Sequence, residues 1–101
     1  MSRRQKLEEM LAADSKDPFL HYALALELVK NGERTAGLQR LSEMSEQFPD
    51  HVPALFRRGQ LLAEDGDAVA ARDVLNQGIR VALRVGDDHA AAEMRELVET
   101  L

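Results

Sequence analysis

Shifted by 34 residues, the sequence lies over itself: "LHYALALELVKNGERTAGLQRL" falls on "ALFRRGQLLAEDGDAVAARDVL". Tyr22 meets Phe56, Ala25 meets Gly59, Leu28 meets Leu62 and Leu41 meets Leu75. Between them Asn31-Gly32-Glu33 falls on Asp65-Gly66-Asp67, and Gly37 falls on Ala71. One period earlier, Leu7 precedes Leu41 and Met10 precedes Met44. A period of this length marks supersecondary units that bury their apolar faces by stacking on their neighbours.

The unit is either a strand hairpin or a helix pair. Asn31-Gly32 between apolar runs is a strong short-range signal for a tight hairpin turn. The flanks decide otherwise. Before the turn, apolar residues recur at Leu20, Leu24 and Leu28; after it, at Leu38, Leu41, Met44 and Phe48. That is the period of a helix face and not the alternation of a strand. Gly32 therefore reads as a left-handed residue just past a helix C-terminus, where a Cβ would be strained.

The same signals divide the rest of the chain. Residues 3–13, "RRQKLEEMLAA", are strong helix formers with Leu7, Met10 and Leu11 on one face. Pro18 and Pro53 suit the first turns of new helices, and Pro49 stops the one that carries Phe48. In the helix after Pro53, Leu55, Phe56, Gly59 and Leu62 face inward. Asp67 is an N-cap for a helix carried by Val74, Leu75, Gly78, Ile79 and Ala82 to about Val85. "GDD" at 86–88 makes the last turn, and a final helix turns Ala90, Met94, Leu97, Val98 and Leu101 inward. The expectation is an all-α chain of about six helices.

This 34-residue helix–turn–helix pattern resembles the tetratricopeptide repeat (TPR) family. From Pro18 the sequence supplies Leu24, Ala25, Leu28, Gly32, Gly37, Leu41, Met44 and Pro49 at the family's positions; from Val52 it supplies Gly59, Leu62, Gly66, Ala71, Leu75 and Gly78. The small residues Ala25 and Gly37, or Gly59 and Ala71, sit where antiparallel helices cross, so that the backbones approach. The resemblance implies an α–α superhelix in a single TPR-like domain over 1–101. Its parts are a half repeat over 3–17, repeats over 18–51 and 52–85, and a capping helix over 86–101. Leu83 replaces the second terminal proline, which lets that helix run on. Arg58 stands where the repeat wants Leu, and its long stem is expected to reach a carboxylate such as Glu27 or Glu93.

The resemblance also implies a function. TPR proteins bind peptides on a concave face lined by the first helix of each repeat. The corresponding residues here include Phe19, Tyr22, Leu26, Val29 and Lys30 in the first repeat, and Phe56, Arg57 and Gln60 in the second. The positions that clamp a C-terminal carboxylate in some TPR domains are mostly apolar here; only Arg57 has suitable chemistry. Phe19, Tyr22, Leu26 and Val29 form a second apolar stripe beside the core stripe Leu24, Ala25 and Leu28. Such a stripe is covered either by neighbouring helices or by a partner, which is a peptide, a protein or a second copy of the chain. A non-enzymatic protein–protein interaction module is therefore expected, with a homo-oligomer as the alternative.

Other functions find little support. A net charge of −5 disfavours nucleic-acid binding, and the one basic cluster, Arg3, Arg4 and Lys6, is a solvated helix start. There is no Cys, hence no thiolate metal site or thiol nucleophile, and a cytoplasmic location fits. His21, His51 and His89 have no partner at metal-ligand spacing, and Asp65-Gly66-Asp67 lacks the oxygen pattern of a calcium loop. No cofactor and no metal are expected. No apolar stretch approaches the roughly 20 residues of a membrane span. Met1 and the terminal cap favour a whole small protein.

Overall fold

In the computed structural model, which describes residues 1–101, helices account for 81 of the 101 residues. They are α1 (Arg3–Ala13), α2 (Pro18–Lys30), α3 (Arg34–Gln47), α4 (Val52–Glu64), α5 (Ala68–Val85) and α6 (Asp88–Glu99). The architecture is an all-α helical repeat.

The helix ends show why the sequence breaks where it does. Ser2 caps α1 reciprocally: its Oγ accepts from the Gln5 N–H at 3.1 Å while its own N–H donates to Gln5 Oε1 at 3.0 Å. Asp17, Asp67 and Asp87 accept first-turn N–H groups of α2, α5 and α6 at 2.9, 3.1 and 3.1 Å. At the other end of α2, Gly32 has φ +85°, its N–H donates to the Val29 carbonyl at 3.2 Å, and Glu33 N–H donates to the Leu28 carbonyl at 2.8 Å. The same pair of hydrogen bonds recurs 34 residues later, from the Gly66 N–H to the Ala63 carbonyl and from the Asp67 N–H to the Leu62 carbonyl, both at 3.0 Å. Asn31-Gly32 is thus a helix stop with a left-handed glycine, not a hairpin.

The chain divides into two compact units, Met1–Phe48 and Pro49–Leu101. In the first, α1 packs on α2 and α2 on α3. Leu7 and Leu11 of α1 join Leu20, Leu24 and Leu28 of α2 in one apolar cluster. Ala25 and Gly37 mark the crossing of α2 with α3: a Cβ on Gly37 would lie 2.5 Å from Val29 Cγ2 and 2.9 Å from the Ala25 carbonyl oxygen. In the second unit, α5 packs against both α4 and α6. Its core is built from Val52, Leu55, Val74, Leu75, Val81, Ala82, Ala91 and Met94, with Phe56, Leu62, Leu97 and Val98 packed at its edge. A Cβ on Gly59 would meet Leu75, and one on Gly78 would meet Met94 Sδ at 2.6 Å.

One expected core residue is not in the core. Met10 is 52% exposed, although Met44, one period later, is 1% exposed. The helical period sets which face a residue is on, but burial needs a neighbouring element over that face. Val52, Ala54 and Leu61 are buried beyond the expected stripe of α4, and Val81 and Ala91 add to the expected faces of α5 and α6.

Candidate interaction surface

The eight residues singled out from the sequence divide between the units. On α2, the side chains expected in the second stripe lie at very different depths. Phe19 is 69% exposed at the first turn. Tyr22, Leu26 and Val29 are half-buried, and Lys30 is exposed in the last turn, where its charge complements the helix dipole. Val29 leans on α3 at Gly37, so part of its surface belongs to the helix crossing. Neighbouring helices thus cover the stripe in part, and Phe19 projects beyond them.

On α4, Phe56 is half-buried against the second unit's core. Arg57 Nη1 donates to Gln60 Oε1 at 3.3 Å across one helical turn, so these two polar candidates orient each other. Arg58 corrects an expectation. Within its own unit Glu93 is engaged by His89 and not by Arg58. Its guanidinium is half-buried, and burial alone pulls its pKa below the usual arginine range.

Two clefts open in the first unit. One, of about 420 Å³, lies between α1 and the start of α2 and is lined by Arg3, Lys6, Leu7, Met10, Phe19 and Leu20. Its two most exposed apolar groups, Met10 and Phe19, come from different helices. The other, of about 520 Å³, is lined by Ser15, Lys16, His21, Gln47 and Phe48. There Arg40 Nη1 donates to His21 Nδ1 at 3.1 Å, so Nε2 carries the ring proton and donates to the Ser15 carbonyl at 2.7 Å. The ring also lies 5.5 Å from that of Phe48. His21 therefore ties the α1–α2 turn to α3, a role its sequence position did not announce.

His51 is the second unmarked residue. Its Nδ1 accepts the Ala54 N–H at 3.3 Å and so caps α4, and burial pulls its pKa down, favouring the neutral ring that can accept. A histidine two residues before a proline gave no clear cap signal, because imidazole is not among the usual N-cap side chains. Next to His51, Asp50 pairs with Arg84, and elsewhere in the second unit Arg72 Nη2 donates to the Leu101 carbonyl at 3.3 Å. In the first unit, Arg4 bridges Glu8 and Glu33; the hydrogen bond to Glu33 contributes most to raising its pKa. No three carboxylate or imidazole side chains converge in a way that could hold a metal ion. No helix is long and apolar enough to cross a membrane.

Solved structures resemble the chain along most of its length. A tetratricopeptide repeat domain protein from Salinibacter ruber, in solution, superposes with a TM-score of 0.82 at 31% identity, over 86% of this chain and 88% of that one. A crystal structure of a tetratricopeptide repeat domain protein from the same organism gives 0.76 at 31% identity, over 83% and 93%. A Bordetella parapertussis protein shares the fold with a TM-score of 0.83 at 23% identity, over 99% and 87%. No family model matches the sequence. Helix order, left-handed turn glycines, small crossing residues and these identities agree: the chain belongs to the tetratricopeptide repeat family.

Proposed function

We propose that this protein is a non-enzymatic interaction module that binds a protein or peptide through the outward faces of its first helices, α2 in one unit and α4 in the other. The repeats run over 18–51 and 52–85, with α1 as a preceding half repeat and α6 as the cap. The observation that carries the reading is Phe19, which holds a large apolar ring 69% exposed at the head of the stripe formed by Tyr22, Leu26 and Val29. An exposed aromatic beside half-buried apolar neighbours is the usual anatomy of a docking anchor. The pair Arg57 and Gln60, held together on α4, supplies hydrogen-bond donors suited to a peptide backbone or carboxylate. The TPR fold is in general a scaffold for protein association, which agrees with this reading.

The test is affinity capture from the native source with the wild-type chain, Tyr22→Ala and Phe56→Ala. Loss of the same partner in either variant, with helicity retained by circular dichroism, supports the proposal; unchanged capture by both overturns it. Light scattering separates the alternative in which the chain binds itself. A dimer dissolved by Leu26→Glu would make the stripe a self-interface.

A further inference from the structure

The 34-residue register places Arg3, Lys6, Leu7 and Met10 of α1 at the positions of Gly37, Arg40, Leu41 and Met44 in α3. In α3 this face receives a first helix: α2 closes on Gly37 so tightly that a Cβ there would touch Val29 and the Ala25 carbonyl. In α1 the same face is covered only in part: Leu7 is buried against α2, while Met10 is 52% exposed. The residue at the crossing position is Arg3, where α3 has Gly37 and α5 has Ala71. A helix cannot pack there as α2 packs on α3, because the arginine stem occupies the space a close crossing requires. Whatever covers Met10 must stand off from α1 and accommodate a cation.

The cleft itself supplies the rest of the description. Its floor is apolar, from Leu7, Met10, Phe19 and Leu20, and its only charged lining residues are Arg3 and Lys6. Arg3 pairs with Glu27 yet keeps 64% of its side chain exposed, and Lys6 is exposed. In a chain of net charge −5, a two-cation rim without a lining carboxylate is a local reversal of sign. Its volume of about 420 Å³ is in the range of small binding sites. Met10 adds an adaptable thioether beside the Phe19 ring, a surface that molds to an inserted aromatic or aliphatic side chain.

We infer that the cleft between α1 and α2 binds an extended acidic segment of another protein, inserting one large apolar side chain over Met10 and Phe19 and setting flanking carboxylates against Lys6 and Arg3. This assignment rests on the interaction-module reading and adds the partner's chemistry to it. Complementary charge sets orientation and selects against basic segments, while the buried side chain supplies most of the affinity.

Fluorescence anisotropy of a short dye-labelled peptide, one Phe flanked by Glu on each side, tests it against two controls, one with every Glu changed to Lys and one with the Phe changed to Ser. The acidic peptide should bind the full chain, and both controls should bind it more weakly. Lys6→Glu, at an exposed helix position, should weaken the acidic peptide about fivefold and strengthen the basic one, the scale of an exposed ion pair turned to repulsion. Rising salt should weaken the acidic peptide in the wild type. Equal binding of the acidic and basic peptides, no binding of the acidic peptide, or indifference to Lys6→Glu overturns the proposal. So does a dimer dissolved by Met10→Ser, which would give the cleft to a second copy. Tyr22→Ala keeps the two readings apart: its partner loss in the capture experiment tests the α2 stripe whatever the peptide does in the cleft.

Discussion

At one and the same position of the repeat, α3 carries Met44 and α5 carries Gly78. Met44 is itself buried. Gly78 leaves a hollow that Met94 of α6 enters, its Sδ 2.6 Å from where a Cβ would have stood. Both sites end with a methionine side chain in the interior, once from the helix itself and once from the helix that follows. The repeat therefore preserves filled volume and not residue identity, and a deviation in one helix is legible only beside the helix that answers it. The outer faces differ as well. Those of α2 are apolar with Phe19 exposed, whereas α4 presents Arg57, Arg58 and Gln60. The first unit exposes an aromatic ring, Phe19; the second carries the larger apolar core.

The comparison breaks most sharply at Met94. Met94→Ala should cost about 2–5 kcal/mol in urea unfolding, since it empties the hollow under Gly78. In the wild type, Gly78→Ala should destabilise by colliding with Met94 Sδ. In the Met94→Ala background the same change should stabilise, because it partly refills the space and improves helix propensity by about 1 kcal/mol. No change of sign in that cycle would mean the two residues do not share one site.

Gly37→Ala is the counterpart in the first unit, and should cost about 1–3 kcal/mol. Its methyl meets the Ala25 carbonyl as well as Val29. Trimming Val29 to Ala should therefore not rescue it, in contrast to the Gly78 pair. A full rescue in chemical denaturation would show that the crossing yields more easily than the geometry implies.

A smaller effect separates the starts of α2 and α4. His51 caps α4 only while Nδ1 is unprotonated, and its folded pKa lies below that of the unfolded chain. The unfolded state then binds more protons, so this contribution is whole above about pH 6.5 and is lost as the pH falls through the folded pKa. Melting curves should show the fall, and amide exchange at Ala54 should quicken with it. His51→Asp should remove the dependence in that window.

Arg58→Leu should do least, leaving stability unchanged or slightly raised, because it replaces a half-buried cation that is not paired with Glu93. A loss above about 2 kcal/mol in denaturant unfolding would show that the charge is satisfied in a way that stabilises the fold.

How far the sequence spoke for itself follows from what a single chain encodes locally. Helix faces, the stops at Gly32 and Gly66, the Asp67 cap and the close crossing at Ala25 and Gly37 rest on period and backbone chemistry within a few residues, and all stand in the structure. Met10 did not follow its twin Met44, because a pattern names a face and not its neighbour. The cleft at Arg3, Lys6 and Phe19 was hidden for the same reason: Arg3 and Lys6 read as a solvated helix start until α2 was set beside them. His21 and His51 took roles through Arg40 and a helix start that no spacing rule marks.

The turns have a consequence of another kind. Gly32 and Gly66 hold positive φ with nothing within 4 Å of where a side chain would begin. Their backbones follow the mirror image of the conformation that ordinary residues prefer, and they do so in open space. A D-alanine built in at either position by chemical synthesis would adopt that conformation without strain and would leave the unfolded chain fewer shapes to explore. The joints of this repeat are in that sense already written for the opposite hand, and glycine is the encoded residue that stands in for it with least strain.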